Sequence, residues 1–423
     1  MGRRREPAQA GLAREFTISA IGAQGDGLAG DAFIPLTLPG ERVLARLEGG
    51  RGALIEVLDA SADRVTPPCP HFGECGGCAV QHWAHGPYLA WKVERIRQAL
   101  AREGLEADIL EPFGAAPGSR RRLALHVRAA GGRTVVGFKA RRSWRLVPIE
   151  SCVVADPALV AALPALATLA EPLLEHPASA PILHVTATLT GLDIDVTGVE
   201  ARSGGLSADA RARAAEAAAG ADVARVSVAG EAIYQARPPA VHLGAATVEL
   251  PPGAFLQAVP AAEAAMTAFA LQAATGARRI ADLHCGVGTF TFPLASIASV
   301  YAADVSATAV GALTHAIATA PGLKSIAAEA RDLDRRPVLA SELKGVDVVL
   351  FDPPRAGAAV QCGEIARSGA GRVVGVSCNP ASFARDAAIL AGGGFRLERV
   401  LPVDQFLWSP HIELVGLFSR EDR

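Results

Sequence analysis

Apolar and polar residues alternate through 15–66 between glycine turns, in Phe16-Thr17-Ile18, Ala32-Phe33-Ile34-Pro35, Arg42-Val43-Leu44-Ala45-Arg46-Leu47 and Ala53-Leu54-Ile55-Glu56-Val57-Leu58. A period of two marks half-buried strands. Short strands spaced this densely predict a small β-barrel of the oligonucleotide-binding kind. Residues 1–14 lack the period and read as a disordered tail. Residues 67–82 are dominated by Cys, Gly and Pro. The period then lengthens to that of a helix from Gly86 to Glu103, with Tyr88, Leu89, Trp91, Val93, Ile96 and Leu100 apolar and Lys92, Arg95, Arg97 and Arg102 basic. Residues 110–250 read as β-rich, with an alanine-rich helical stretch over Pro157–Leu174 and a short helix or linker over Asp209–Ala219.

From Pro251 strands and helices alternate, the rhythm of a parallel doubly wound sheet. The pattern predicts strands at Arg279–Leu283, Val300–Asp304, Ser325–Glu329, Val346–Phe351, Arg372–Ser377, Arg396–Val403 and Ile412–Phe418. The fold class is therefore multidomain α/β: a small barrel over 15–66, a β-rich central domain over 67–250 and a Rossmann-like domain over 251–423. A chain of 423 residues, half of them hydrophobic, has the length and apolar content for several cores.

Charge changes this picture only by its distribution. The formal net charge is −2. The interval from Arg120 to Arg145 nevertheless holds Arg120, Arg121, Arg122, Arg128, Arg133, Lys139, Arg141, Arg142 and Arg145, with no Asp or Glu. Such a stripe can neutralise phosphates by counterion release; a solvated basic face is the plain alternative. No signal peptide and no membrane-length apolar run are present, so a cytoplasmic protein without a membrane partner is expected. Thiols stay reduced there, and the seven cysteines should be catalytic, metal-binding or merely buried.

Three motifs fall at strand exits of the Rossmann-like domain, the edge at which such sheets bind ligands. Asp282-Leu283-His284-Cys285-Gly286-Val287-Gly288-Thr289 is a glycine turn between a strand and a helix expected at Thr291–Ala298. Thr291 stands where a third glycine would complete a dinucleotide fingerprint. Asp304, ending the next strand, can accept hydrogen bonds from ribose hydroxyls. A ribose clamp without a phosphate cradle suits S-adenosylmethionine, with His284, Gly286, Gly288, Thr289, Asp304 and Asp352 as candidate contacts. Phe351-Asp352-Pro353-Pro354-Arg355 is the second motif and Ser377-Cys378-Asn379-Pro380 the third. Asn379-Pro380 breaks the strand, which makes Cys378 a candidate nucleophile rather than a core residue.

Cys69, Cys75 and Cys78 form a dense glycine-supported loop, Cys75-Gly76-Gly77-Cys78. Clustered thiols in a reduced compartment point to zinc or an iron–sulfur cluster, each needing a fourth ligand, for which Cys152 is the best candidate.

These motifs resemble the RNA uridine C5-methyltransferase family. Ser-Cys-Asn-Pro with Ser382-Phe383-Ala384-Arg385-Asp386 is similar to its nucleophile motif, and Asp352-Pro353-Pro354-Arg355-Ala356-Gly357 to its substrate-side loop. Phe255-Leu256-Gln257 resembles its cofactor-lid motif. Phe406-Leu407-Trp408-Ser409-Pro410-His411-Ile412-Glu413 resembles its C-terminal catalytic motif. The resemblance implies that Cys378 adds to carbon 6 of a uridine, that Glu413 removes the carbon 5 proton, that Gln257 contacts the cofactor and that Arg355 contacts the substrate. It also implies a 4Fe-4S cluster on Cys69, Cys75, Cys78 and Cys152, with zinc as the lesser reading, and a TRAM-type RNA-binding barrel. Members with both features act on large-subunit ribosomal RNA, so 23S rRNA is the expected substrate, tRNA the second, and a monomer the expected state. Three departures stand out: Val259 where the lid motif carries Asn, Asp304 where Glu is frequent, and Leu407-Trp408 where Pro-Gln is usual. The rival readings are a methyltransferase with a non-RNA substrate and a non-catalytic iron–sulfur RNA-binding protein.

Overall fold

The computed structural model describes residues 12–199 and 205–420. The expected tail lies outside them up to residue 11. Residues 13 and 14 instead open a strand, Ala13–Thr17, because Arg42–Glu48 offers them a pairing partner, from Ala13↔Arg46 to Thr17↔Arg42.

The N-terminal unit is a six-stranded sheet, in the spatial order Ala13–Thr17, Arg42–Glu48, Arg51–Asp59, Ala32–Ile34, Gly27–Ala29, Ala20–Ile21. Both ends of that path belong to one bent stretch, which pairs first with Arg42–Glu48 and then, through Ala20↔Leu28, with Gly27–Ala29. Ile18, Ile34, Val43 and Ala45 fill its interior.

The central unit is a seven-stranded sheet whose middle strands are Arg133–Lys139, Arg122–Ala130, Ile182–Thr188 and Gly191–Thr197. Leu123, Leu125, Val127, Leu183 and Val185 point to one face, where helices Leu163–Ala170 and Ala208–Gly220 cover them. The segment read as a helix or linker is a helix. Ser207 caps it by accepting from the Ala210 amide, and Ala210, Ala214 and Ala218 recur every four residues against the sheet.

The C-terminal unit is a nine-stranded sheet. Strands Ile326–Ala330, Ser299–Asp304, Arg279–Leu283, Val348–Phe351 and Arg372–Ser377 lie side by side in parallel. Glu413–Ser419 then runs antiparallel beside Arg372–Ser377, and Arg396–Asp404 antiparallel beside it. These strands fall within two residues of expectation, whereas helix Thr291–Ala295 stops short of the expected Ala298. Among the described residues no helix is long and apolar enough to cross a membrane.

The boundary expected at 251 is crossed. Strands Asp108–Ile109 and Phe113–Gly114 pair with Arg396–Asp404 at the sheet edge. Helix His85–Arg102 packs Ile96, Ala99 and Leu100 into the core that holds Phe383, Leu390 and Phe395. Hairpin Ala240–Leu243 with Ala246–Glu249 buries Val241, Leu243 and Val248 in the same unit's other core. Two-residue strands carry no period, and their place depends on an edge left open far along the chain.

Candidate active site

Parallel strands place their exits on one edge of the sheet. Asp282 to Gly288, Asp304, Asp352 and Cys378 therefore gather there. Glu413 joins them because its strand runs the other way: Ser377 is paired with Leu414, which sets the start of one strand against the end of the other. The end of Arg396–Asp404 meets the same point through Val403↔Glu413.

Cys378 follows its strand into helix Pro380–Gly392, capped by Asn379, whose side chain accepts from the Ala381 amide at 3.2 Å. Asn379 Nδ2 also donates to the Arg355 carbonyl at 3.2 Å, as does Ser382 Oγ at 3.1 Å. Asp386 accepts from the Ala358 amide at 2.7 Å, and Arg385 donates to the Ala356 carbonyl at 2.9 Å. The first two turns of this helix thus hold the Asp-Pro-Pro-Arg loop and the residues just after it in place. The half-buried Cys378 thiol is pushed up by burial and by the charges of Glu413 and Asp352, with Arg355 pulling the other way. Arg355 is outweighed: two carboxylates and desolvation oppose one exposed guanidinium.

Glu413 is 4% exposed, and burial together with Asp352 raises its pKa well above that of a free carboxylate. Asp352 is raised in turn, chiefly by burial. Two glutamines link the pair. Gln405 Nε2 donates to Glu413 Oε2 at 2.8 Å and to Gln257 Oε1 at 2.7 Å, and Gln257 Nε2 donates to Asp352 Oδ2 at 3.0 Å. Gln257 was expected at the site; Gln405 was not, since a lone glutamine between Asp404 and Phe406 carries no motif.

On the other side of Asp352, Asp304 accepts from the Gly286 amide at 2.9 Å and the Ser306 amide at 2.8 Å. A side chain on Gly286 would meet nothing within 4 Å, so open space faces this backbone. Gly288 differs: a Cβ there would stand 2.6 Å from the Phe292 ring, and its φ of +101° favours glycine. A side chain at Gly288 is thus excluded by helix packing, and Gly286 faces open space. His284 Nε2 is buried with no partner among the described residues, and burial lowers the ring's pKa. Thr289 lies in the same turn. Asp282 is fully buried, accepts from Thr291 Oγ1 at 2.5 Å and has its pKa raised by burial. Strand alternation alone did not single it out as part of the site.

The basic stretch divides: Arg128, Arg133, Arg142 and Arg145 are exposed, whereas Arg121 is buried and Arg120, Arg122, Lys139 and Arg141 are half-buried. Arg121 is 7% exposed, donates to the Gln257 carbonyl at 2.9 Å and pairs with Glu263 at 2.5 Å. Arg122 donates to the Leu256 carbonyl at 2.6 Å. Both brace the lid loop from below. Arg141 and Arg142 pair with Asp26 of the N-terminal sheet, at 2.9 and 2.7 Å. Arg120 lies 5.8 Å from the Phe406 ring centroid and lines a partly open cavity. Lys139 stacks on the exposed Trp144 ring at 3.9 Å. Arg355 is exposed beside the site. A charge count cannot reveal the partners of Arg121, Arg122, Arg141 and Arg142, because each comes from a distant segment.

Cys69, Cys75, Cys78 and Cys152 all line the cavity of about 300 Å³ that Arg120 faces. All four are free thiols. The expected ligand set is not drawn together as one metal-holding group: among the described residues no three His, Cys, Asp or Glu side chains converge in that way. Burial pushes Cys78 up to about 12, and burial and neighbouring thiols raise Cys75 and Cys152 as well. Cys285 and Cys362 are buried in the C-terminal cores.

The family model described as tRNA (Uracil-5-)-methyltransferase matches residues 245–421. A Caulobacter vibrioides protein described as an RNA methyltransferase is 64% identical over 414 residues, covering 96% of this chain and all of its own. The 23S rRNA (uracil(1939)-C(5))-methyltransferase of Chromohalobacter salexigens is 34% identical, covering 96% of this chain and 89% of its own. Among solved structures, Pyrococcus abyssi tRNA (uracil-54, C5)-methyltransferase in complex with S-adenosyl-L-homocysteine superposes with a TM-score of 0.74, at 21% identity, covering 96% of this chain and 99% of that one. At that identity the likeness concerns the fold.

Proposed function

The chain belongs to the S-adenosylmethionine-dependent RNA uracil-C5-methyltransferase family, and from that premise we propose that it methylates carbon 5 of a uridine in 23S rRNA through a covalent Cys378 adduct. The observation that carries the reading is the register Ser377↔Leu414, which brings a thiol and a buried carboxylate to one sheet edge. The relative named for 23S rRNA supports the choice of RNA.

Uracil carbon 5 is a poor nucleophile. The Cys378 thiol releases its proton to solvent, the thiolate forms a bond to carbon 6, and the electron pair displaced from the ring double bond makes carbon 5 nucleophilic. His284, Gly286, Thr289, Asp304, Gln257 and Asp352 would hold S-adenosylmethionine, which supplies the methyl group that carbon 5 takes. The open face of Gly286 and the unpartnered His284 nitrogen fit such a ligand. Glu413 then removes the carbon 5 proton, the carbon–hydrogen pair restores the ring double bond, and Cys378 leaves as a thiolate. The target base must leave its stack to reach this edge.

We also propose that Cys69, Cys75, Cys78 and Cys152 ligate a 4Fe-4S cluster. The all-thiol donor set and the cavity they share support it, since a cubane takes ligands spread around a larger body than one zinc ion. Thiols whose ionisation is opposed by burial and by each other suit a site where metal ions balance the charge. The N-terminal unit is proposed as a TRAM-type RNA-binding module.

The test is to map 5-methyluridine by mass spectrometry in RNA from a deletion strain complemented with wild type or Cys378→Ala. One 23S rRNA site should vanish on deletion and return only with wild type. Loss at a tRNA site would redirect the substrate, and no lost site would refute the activity.

A further inference from the structure

We propose that Gln405 is a positioning residue that holds Glu413 as the proton acceptor of the reaction and ties it to the loop carrying Gln257. The inference rests on the methyl-transfer reading above.

The direction of each hydrogen bond follows from one unambiguous donor. The Ala258 backbone amide lies 2.9 Å from Gln405 Oε1 and can only donate. That identifies the oxygen end of the Gln405 side chain. Its nitrogen therefore faces Gln257 Oε1 and Glu413 Oε2, and both of its hydrogens are used. With Gln257 Oε1 acting as acceptor, its own nitrogen is the end that meets Asp352. Both carboxylates at the ends of this chain of amides are thus held as acceptors. Any proton on Glu413 sits on Oε1, leaving Oε2 as the anchored atom.

Gln405 is 2% exposed and Gln257 3%. An amide buried this far is costly unless its donors and acceptor are paired, and those of Gln405 are. An apolar side chain would fill the same space more cheaply. What the amide adds is support for the ionised carboxylate, against the burial and the Asp352 charge that favour the protonated form. The charged or titratable groups around Glu413 are Asp352, Cys378 and, on the adjoining strand, Asp404 in its pair with Lys92. Among the side chains bonded to Glu413 oxygens, Gln405 is the donor.

Gln405→Met keeps the length and removes the donors; Gln405→Leu serves if the first does not fold. Each is assayed with wild-type protein on the RNA transcript that carries the mapped uridine. Turnover per folded enzyme should fall roughly tenfold or more, the loss expected for a hydrogen bond to a buried charge. The acid limb of the kcat–pH profile should move to higher pH. A denaturant-resistant enzyme–RNA adduct should accumulate, because the methylated adduct waits for proton removal. KM for RNA should fall with kcat, because the adduct builds up ahead of the slowed step. A drop in kcat with neither the limb nor the adduct fraction changed would reduce Gln405 to a packing residue and overturn the proposal, as would unchanged turnover. Wild type that forms no 5-methyluridine on this RNA would overturn the methyl-transfer reading itself, a separate outcome.

Discussion

The Cys378 thiol lies among two carboxylates and one guanidinium, and the carboxylates prevail. In the free protein it is therefore held as a neutral thiol, and Glu413 is held toward its protonated form. Each charge opposes the other, so removing one should ease the second. In Glu413→Gln the pH midpoint of Cys378 alkylation by iodoacetamide should move down, since burial and Asp352 remain but the larger of the two carboxylate contributions is gone. An unmoved midpoint would mean that desolvation alone sets the thiol. Residue identity at this site was legible: Cys378, Glu413, Asp352, Asp304 and Gln257 could all be named from motifs. The direction of side chains was not. Arg121 and Arg122 read as phosphate contacts, yet Glu263 and the carbonyls of 256 and 257 claim them.

Among the elements, the strands of the C-terminal sheet were readable because buried parallel strands are continuous apolar runs. Helix His85–Arg102 was readable from its period, but its destination was not. Lys92, on its buried face, meets Asp404 at 2.5 Å with both side chains fully buried. Tyr88 donates to the same carboxylate at 2.5 Å and accepts from the Trp408 amide at 2.7 Å. This pair fastens the helix to the turn that carries Gln405. Lys92→Met leaves Asp404 buried without its cation and should cost about 3–5 kcal/mol in chemical denaturation. Lys92→Met with Asp404→Leu should cost less than the single change. Equal costs would show that the lost lysine packing, not the stranded charge, is responsible.

At the scale of the whole molecule, the cysteine loop meets all three units. Cys75 bridges to Ala140 of the central unit, and Ala79 and Val80 donate to the Trp408 carbonyl of the C-terminal one at 2.8 and 3.2 Å. Leu38 of the N-terminal unit packs in the same cluster as Val80, Trp83 and Leu407. A cluster bound there would fasten the junction. Protein purified without oxygen should contain iron and acid-labile sulfide in near-equal amounts, and Cys152→Ala should lose both and melt at a lower temperature. Zinc without iron in the wild type would sink the cluster reading. Sequence alone determined the strand-and-helix order, the motif-bearing strand exits and the family's chemistry, because these depend on local period and contiguous residue types. Tertiary structure alone decided that residues 85–114 complete the C-terminal sheet, that Arg121 and Arg122 of the basic stretch turn to the lid loop and that Gln405 stands between the two carboxylates. Each of these depends on contacts between segments tens to hundreds of residues apart, for which no local signal exists.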